Sequence, residues 1–168
     1  MVKKTIAILG DTGRLSTGLM EDLMRQDLRL LFISENDSKN ITLKEQLERD
    51  NTAAEVEFTS CEREGCWEAD IIALTPMENI STGLIRKIKE VATQKIVLEI
   101  SEENKTSGNS DLAGFLPYSK VIEIKFNSPQ KEFAVTGKDE ESIYQVRSIF
   151  EKAGYKYQNK HDAGKNMV

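Results

Sequence analysis

Apolar residues along the chain fall into short continuous runs separated by stretches of helical spacing. Thr5-Ile6-Ala7-Ile8-Leu9 predicts a buried strand. Leu15, Leu19 and Leu23, with Met20 and Met24, recur at helical spacing and predict a helix over 14–26. Leu28 to Ile33 predicts a second strand, ended by the polar run Ser34-Glu35-Asn36-Asp37. A short helix over 42–50, a third strand over 54–58 and a short helix over 61–68 follow. Asp70-Ile71-Ile72-Ala73-Leu74-Thr75 predicts a fourth strand, stopped by Pro76. Ile80, Leu84, Ile85, Ile88 and Val91 share one face of a helix over 79–92. Lys95 to Ile100 predicts a fifth strand, followed by a polar loop from Ser101 to Asn109 and a short helix over 110–116. Two further strands are expected over 121–126 and 132–136. A helix over 139–153, capped at Gly154, and a last short strand over 155–158 complete the pattern.

Strands alternating with helices imply a largely parallel sheet covered on both faces. The fully apolar runs at 6–9, 71–74 and 96–98 fit interior strands. The expected fold is α/β: a doubly wound, mostly parallel Rossmann-type sheet in three α/β/α layers. No repeat or linker divides the 168 residues, so residues 1–168 are expected to form a single domain.

Gly10-Asp11-Thr12-Gly13-Arg14 lies between the first strand and the first helix. Glycines at such a turn let the backbone approach a pyrophosphate, and the helix N-terminus offers free N–H groups to it. Binding of a dinucleotide is therefore expected here, with a tight ligand-free turn as the plain alternative. Thr12 can donate its hydroxyl to a phosphate, and Arg14 can offset the charge of Asp11. Glu35 follows Gly13 by 22 residues, where an acidic side chain meets the adenosine ribose hydroxyls. That favours NAD, whereas Arg14 can pair with the 2′-phosphate of NADP, so the choice stays open. Thr75 and Pro76 end the fourth strand, where the chain turns beside a bound nicotinamide ribose.

The net charge of −5 argues against a general nucleic-acid binder. No apolar run approaches the ~20 residues that cross a bilayer, and the N-terminal run is too short for a signal peptide. A cytoplasmic protein is expected. His161 sits in a polar tail, and Cys61 and Cys66 have neither a second pair nor a histidine nearby, so no metal site is expected. No catalytic nucleophile, base and oxyanion donor can be picked out. Hydride transfer needs none, because the cofactor carries that chemistry.

These segments resemble the deazaflavin-dependent NADP reductases and related short NADP oxidoreductases. The likeness rests on Gly10-Asp11-Thr12-Gly13, on Ser34-Glu35 after the second strand, and on Ala69-Asp70-Ile71-Ile72 with Thr75-Pro76. It continues through Asn109-Ser110-Asp111-Leu112, Pro117, the strand Val121 to Asn127, Val135-Thr136-Gly137-Lys138-Asp139 and Ala153-Gly154-Tyr155. The chain departs from the family at Glu35, where an arginine serves the 2′-phosphate, and at Ser16, where a third glycine stands. The Asn-Pro after the fifth strand is replaced by Ser101-Glu102-Glu103-Asn104.

The resemblance implies an NAD(P)-binding oxidoreductase that exchanges hydride between nicotinamide and a flavin, a deazaflavin or another small acceptor. The cofactor-binding residues are then Gly10, Thr12, Gly13 and Arg14 for the phosphates, Ser34 and Glu35 for the adenosine ribose, and Thr75 and Pro76 for the nicotinamide ribose. A second reading, drawn from Asp11 and Glu35, is a non-catalytic module acting as a nucleotide sensor or interaction subunit. A third is a homodimer whose neighbouring subunit completes the acceptor site.

Overall fold

A computed structural model describes residues 3–10, 17–33, 45, 53–75, 82–102, 112–127 and 129–158. Its strands are β1 (Lys4–Leu9), β2 (Leu28–Ile33), β3 (Glu55–Thr59), β4 (Ile71–Leu74), β5 (Ile96–Glu102), β6 (Lys120–Asn127), β7 (Glu132–Gly137) and β8 (Lys156–Tyr157). The helices are α1 (Thr17–Met24), α2 (Glu62–Glu68), α3 (Thr82–Ile88), α4 (Leu112–Phe115) and α5 (Glu140–Lys152). All eight strands join one sheet in the order β3-β2-β1-β4-β5-β6-β7-β8. The first six run parallel, β7 is antiparallel to β6, and β8 is parallel to β7. The expected doubly wound α/β sheet is thus the observed one.

Strand alternation splits the interior into two layers. Ile6, Ile8, Ile71, Ala73, Leu98 and Ile100 face Leu19, Met20 and Leu23 of α1 and Val146, Ile149 and Phe150 of α5. Ala7, Leu9, Ile72, Leu74 and Val97 face Cys66 of α2, Ile85 and Ile88 of α3, and Leu112 of α4. Each central strand is buried on both faces, which is why its sequence is continuously apolar.

Local chemistry fixes the element ends. Asp139 caps α5, its carboxylate accepting from Ser142 N at 3.0 Å. The other end closes as expected at Gly154, whose φ is 96°. Gly154 N donates to Glu151 O and Tyr155 N to Phe150 O, both at 3.0 Å, the two hydrogen bonds of a Schellman cap. Lys95 Nζ donates to the carbonyls of Cys66 (2.6 Å) and Trp67, closing the C-terminus of α2.

Two expectations change. The helix predicted over 79–92 is helical over Thr82–Ile88 and continues as turns through residue 94, with 79–81 outside the described residues. The loop expected from Ser101 does not begin there, and residues 103–109 lie outside the described residues. Ser101 and Glu102 extend β5 because Lys125 and Phe126 of β6 are there to pair with them. The helix expected over 42–50 lies outside the described residues except at residue 45, which is helical.

Gly65 lets α2 lie directly on the sheet. A Cβ there would meet Ile33 Cδ1, come within 2.9 Å of Ile33 Cγ1 and reach 3.3 Å from Thr59 Cγ2. Ile33 is 3% exposed and has little room to yield. Gly65→Ala is therefore expected to destabilise by about 1–3 kcal/mol through overpacking. Urea unfolding should show the loss, and Ile33→Val in the same chain should recover part of it.

Candidate functional site

The order β3-β2-β1-β4-β5-β6 reverses direction between β1 and β4. The chain leaves β1 toward β2 and leaves β4 toward β5, so the connections diverge and open a crevice at the carboxyl ends of these strands. The strands stay closed beneath it. Leu9 is in register with Leu74, and Thr75 N donates to Leu9 O at 3.0 Å. At the other end of the pair, Thr5 N donates to Asp70 Oδ2 at 2.8 Å, and Asp70 N donates to Thr5 O at 2.9 Å.

Two expected site residues fall at this crevice. Gly10 follows β1 directly with φ 105°, a backbone state that residues other than glycine disfavour. Thr75 follows β4, is 2% exposed, and its Oγ1 has no hydrogen-bond partner among the described residues. By alternation from Ile71 and Ala73, Thr75 belongs to the sheet face covered by α1. A positive-φ glycine opposite a buried, unpartnered hydroxyl suits a polar ligand approaching the backbone closely. Thr12, Gly13, Arg14, Ser34, Glu35 and Pro76 lie outside the described residues, as does His161.

Beside the crevice stands a polar group that the sequence reading did not single out. Leu74 is in register with Glu99 and Glu99 with Glu123, so β5 and β6 run on past the end of β4 as a ledge. Val97, Glu99 and Ser101 alternate onto the face opposite Thr75, as do Glu123 and Lys125 of β6. Glu99, Glu123 and Lys125 are half-buried, and Ser101 is 7% exposed. Lys125 Nζ is 3.6 Å from Glu123 Oε1. Burial, and then the neighbouring Glu123, raise the Glu99 carboxyl above its ordinary pKa, and Lys125 pulls the other way. The signal was legible as polar residues alternating with Leu98 and Ile100, and with Ile122, Ile124 and Phe126.

Two other features carry no chemistry here. Cys61 and Cys66 are free thiols, and burial pushes the Cys66 thiol up to about 12, far from a reactive thiolate. A groove of about 450 Å³ runs along α2, lined by Arg63, Trp67 and Glu90 among others. Arg63 and Glu90 already pair across it at 3.0 Å.

No protein-family model matches the sequence, and neither does any curated protein. Solved structures do match. Pyrroline carboxylate reductase of Plasmodium falciparum, solved with NADP bound, superposes with a TM-score of 0.63 at 14% identity, over 93% of this chain and 56% of that one. 5-Formyl-3-hydroxy-2-methylpyridine 4-carboxylic acid 5-dehydrogenase, an NAD+-dependent dismutase, gives 0.70 at 19%, over 94% and 57%. An assigned F420-dependent NADP-reductase from Arthrobacter sp. FB24 gives 0.65 at 13%, over 93% and 83%. This chain has the Rossmann-type fold of these reductases. It spans a little over half the length of the first two. Among the described residues no helix is long and apolar enough to cross a membrane.

Thr75→Val removes a buried hydroxyl that has no partner among the described residues while nearly keeping its shape. It should raise unfolding stability by about 1 kcal/mol, and a loss in chemical denaturation would mean that the hydroxyl is bonded after all. Glu99 has a raised pKa in the folded state, so its ionised form disfavours folding above that pKa and has no such effect once both states are protonated. Glu99→Gln should accordingly stabilise the protein at neutral pH, with the gain fading as acid protonates the wild-type carboxyl. Melting curves taken across that range would show the trend.

Proposed function

We propose that the chain binds NAD or NADP across the carboxyl ends of β1 and β4 and works as an oxidoreductase. The observation that carries this reading is the pairing at the switch point of a positive-φ Gly10 with the buried, unpartnered Thr75 hydroxyl. The fold shared with reductases solved with or dependent on NADP and NAD+ supports it.

The proposed assignments are those the sequence suggests. Gly10, Thr12, Gly13 and Arg14 hold the phosphates, Ser34 and Glu35 the adenosine ribose, and Thr75 and Pro76 the nicotinamide ribose. The bound nicotinamide supplies a hydride, exchanged with a flavin, a deazaflavin or another small acceptor. The protein's part is to close the backbone on the pyrophosphate at Gly10 and to offer the Thr75 hydroxyl a partner. Residues 1–168 act as one dinucleotide-binding domain, in the cytoplasm, where free thiols such as Cys61 and Cys66 persist. A homodimer whose second copy completes the acceptor side belongs to the same reading.

Calorimetric titration with NADH and with NADPH tests it. Saturable binding of at least one is expected. Gly13→Asp should abolish that binding by placing bulk and charge at the phosphates, and Thr75→Val should weaken it by roughly tenfold. Silence with both dinucleotides at millimolar levels would sink the proposal. The preferred dinucleotide reports whether Glu35 or Arg14 dominates at the adenosine ribose.

A further inference from the structure

The β5–β6 ledge has the wrong charges for a strand pair that only holds a sheet together. Glu99 and Glu123 are opposite one another on neighbouring strands, an arrangement that repels. Both are half-buried, so water screens them poorly. One ammonium serves the two carboxylates, and it lies against Glu123, at 3.6 Å. Glu99 has no ion pair among the described residues. The cluster of two carboxylates and one ammonium therefore carries one unmatched negative charge.

A second observation points the same way. Ser101 is two residues beyond Glu99 on the same face, in register with Lys125, and is 7% exposed. Its Oγ has no hydrogen-bond partner among the described residues. Buried polar atoms are normally bonded, and an unbonded one beside an unmatched charge marks a place suited to a polar guest.

We propose that Glu99, Glu123, Lys125 and Ser101 form a binding site for a small organic cation carrying a protonated nitrogen. The ionised Glu99 supplies the counter-charge, and Ser101 and Glu123 accept N–H bonds from the guest. Lys125 limits the site to a single positive charge and turns away guests that carry more. This site does not rest on the proposed function.

The test uses the whole chain without any dinucleotide, so its outcome is separate from that of the NADH and NADPH titrations. Amide chemical shifts are followed while piperidine hydrochloride is added at constant ionic strength. Oxane, the neutral ring of the same shape, and magnesium chloride are run in parallel. Piperidinium should shift residues 99–101 and 123–125 saturably, and oxane should leave them in place. Glu99→Gln should weaken piperidinium by roughly tenfold or more, and Lys125→Met, which removes the competing ammonium, should tighten it. The proposal is overturned if oxane binds as well as piperidinium, if magnesium saturates the same residues more tightly, or if Lys125→Met weakens the amine. Should Glu99→Gln not fold, the comparison of piperidinium with oxane on the unaltered chain decides the matter alone.

Discussion

Everything at the candidate site depends on β1 and β4 lying side by side while the chain leaves them in opposite directions. The pair is fastened at both ends. Asp70 grips Thr5 through its backbone and its carboxylate, and Thr75 N meets Leu9 O just below the crevice. Between these ties, Ile6 to Leu9 match Ile71 to Leu74 residue for residue. The side chains of both strands are buried on both faces, so a slip in register would move each of them to the wrong layer. Gly10 and Thr75 are therefore placed by the register of the two strands, whatever occupies the crevice.

That constraint was legible in the chain because it is written in apolar runs. Ile6 to Leu9, Ile71 to Leu74 and Ile96 to Leu98 are continuous because both faces of each strand are covered, and only a parallel sheet with two helical layers does that. Gly10 and Gly154 were legible for a different reason: each is needed where the backbone takes a positive φ. The sequence was less telling where a partner strand decides the outcome. Ser101 and Glu102 look like the start of a loop, yet Lys125 and Phe126 recruit them into the sheet. Strand direction was also hidden. Nothing within Glu132 to Gly137 distinguishes an antiparallel strand from a parallel one, and the short 127–132 connection sets it.

The site itself was legible in proportion to how local its logic is. A glycine turn after a strand announces itself within a few residues. The ledge does not, because its four polar residues come from two strands that meet only in the fold. Within β5, Val97, Glu99 and Ser101 read as an ordinary polar side of a strand. Within β6, Glu123 and Lys125 read as an i,i+2 pair on an exposed edge. Only the register that sets Glu99 against Glu123, and Ser101 against Lys125, turns two bland patterns into one charged cluster.

The opposite face explains how the fold carries such a cluster. Phe126 packs on Phe133, Phe150 and Tyr155 with ring centroids 5.0–6.1 Å apart, and Phe133 also meets Phe150 and Tyr157. Burial of these rings clamps β6, β7 and α5 together from one side only. Ile122, Ile124 and Phe126 supply that clamp from alternate positions of β6, leaving Glu123 and Lys125 free to face the other way. Cohesion and polarity are thus divided between the two faces of the same strand. A strand anchored on one face can hold like charges on the other: the repulsion between Glu99 and Glu123 acts across the β5–β6 ladder, which Leu98 and Ile100 of β5 close from the opposite face by sharing the core of Ile122, Ile124 and Phe126.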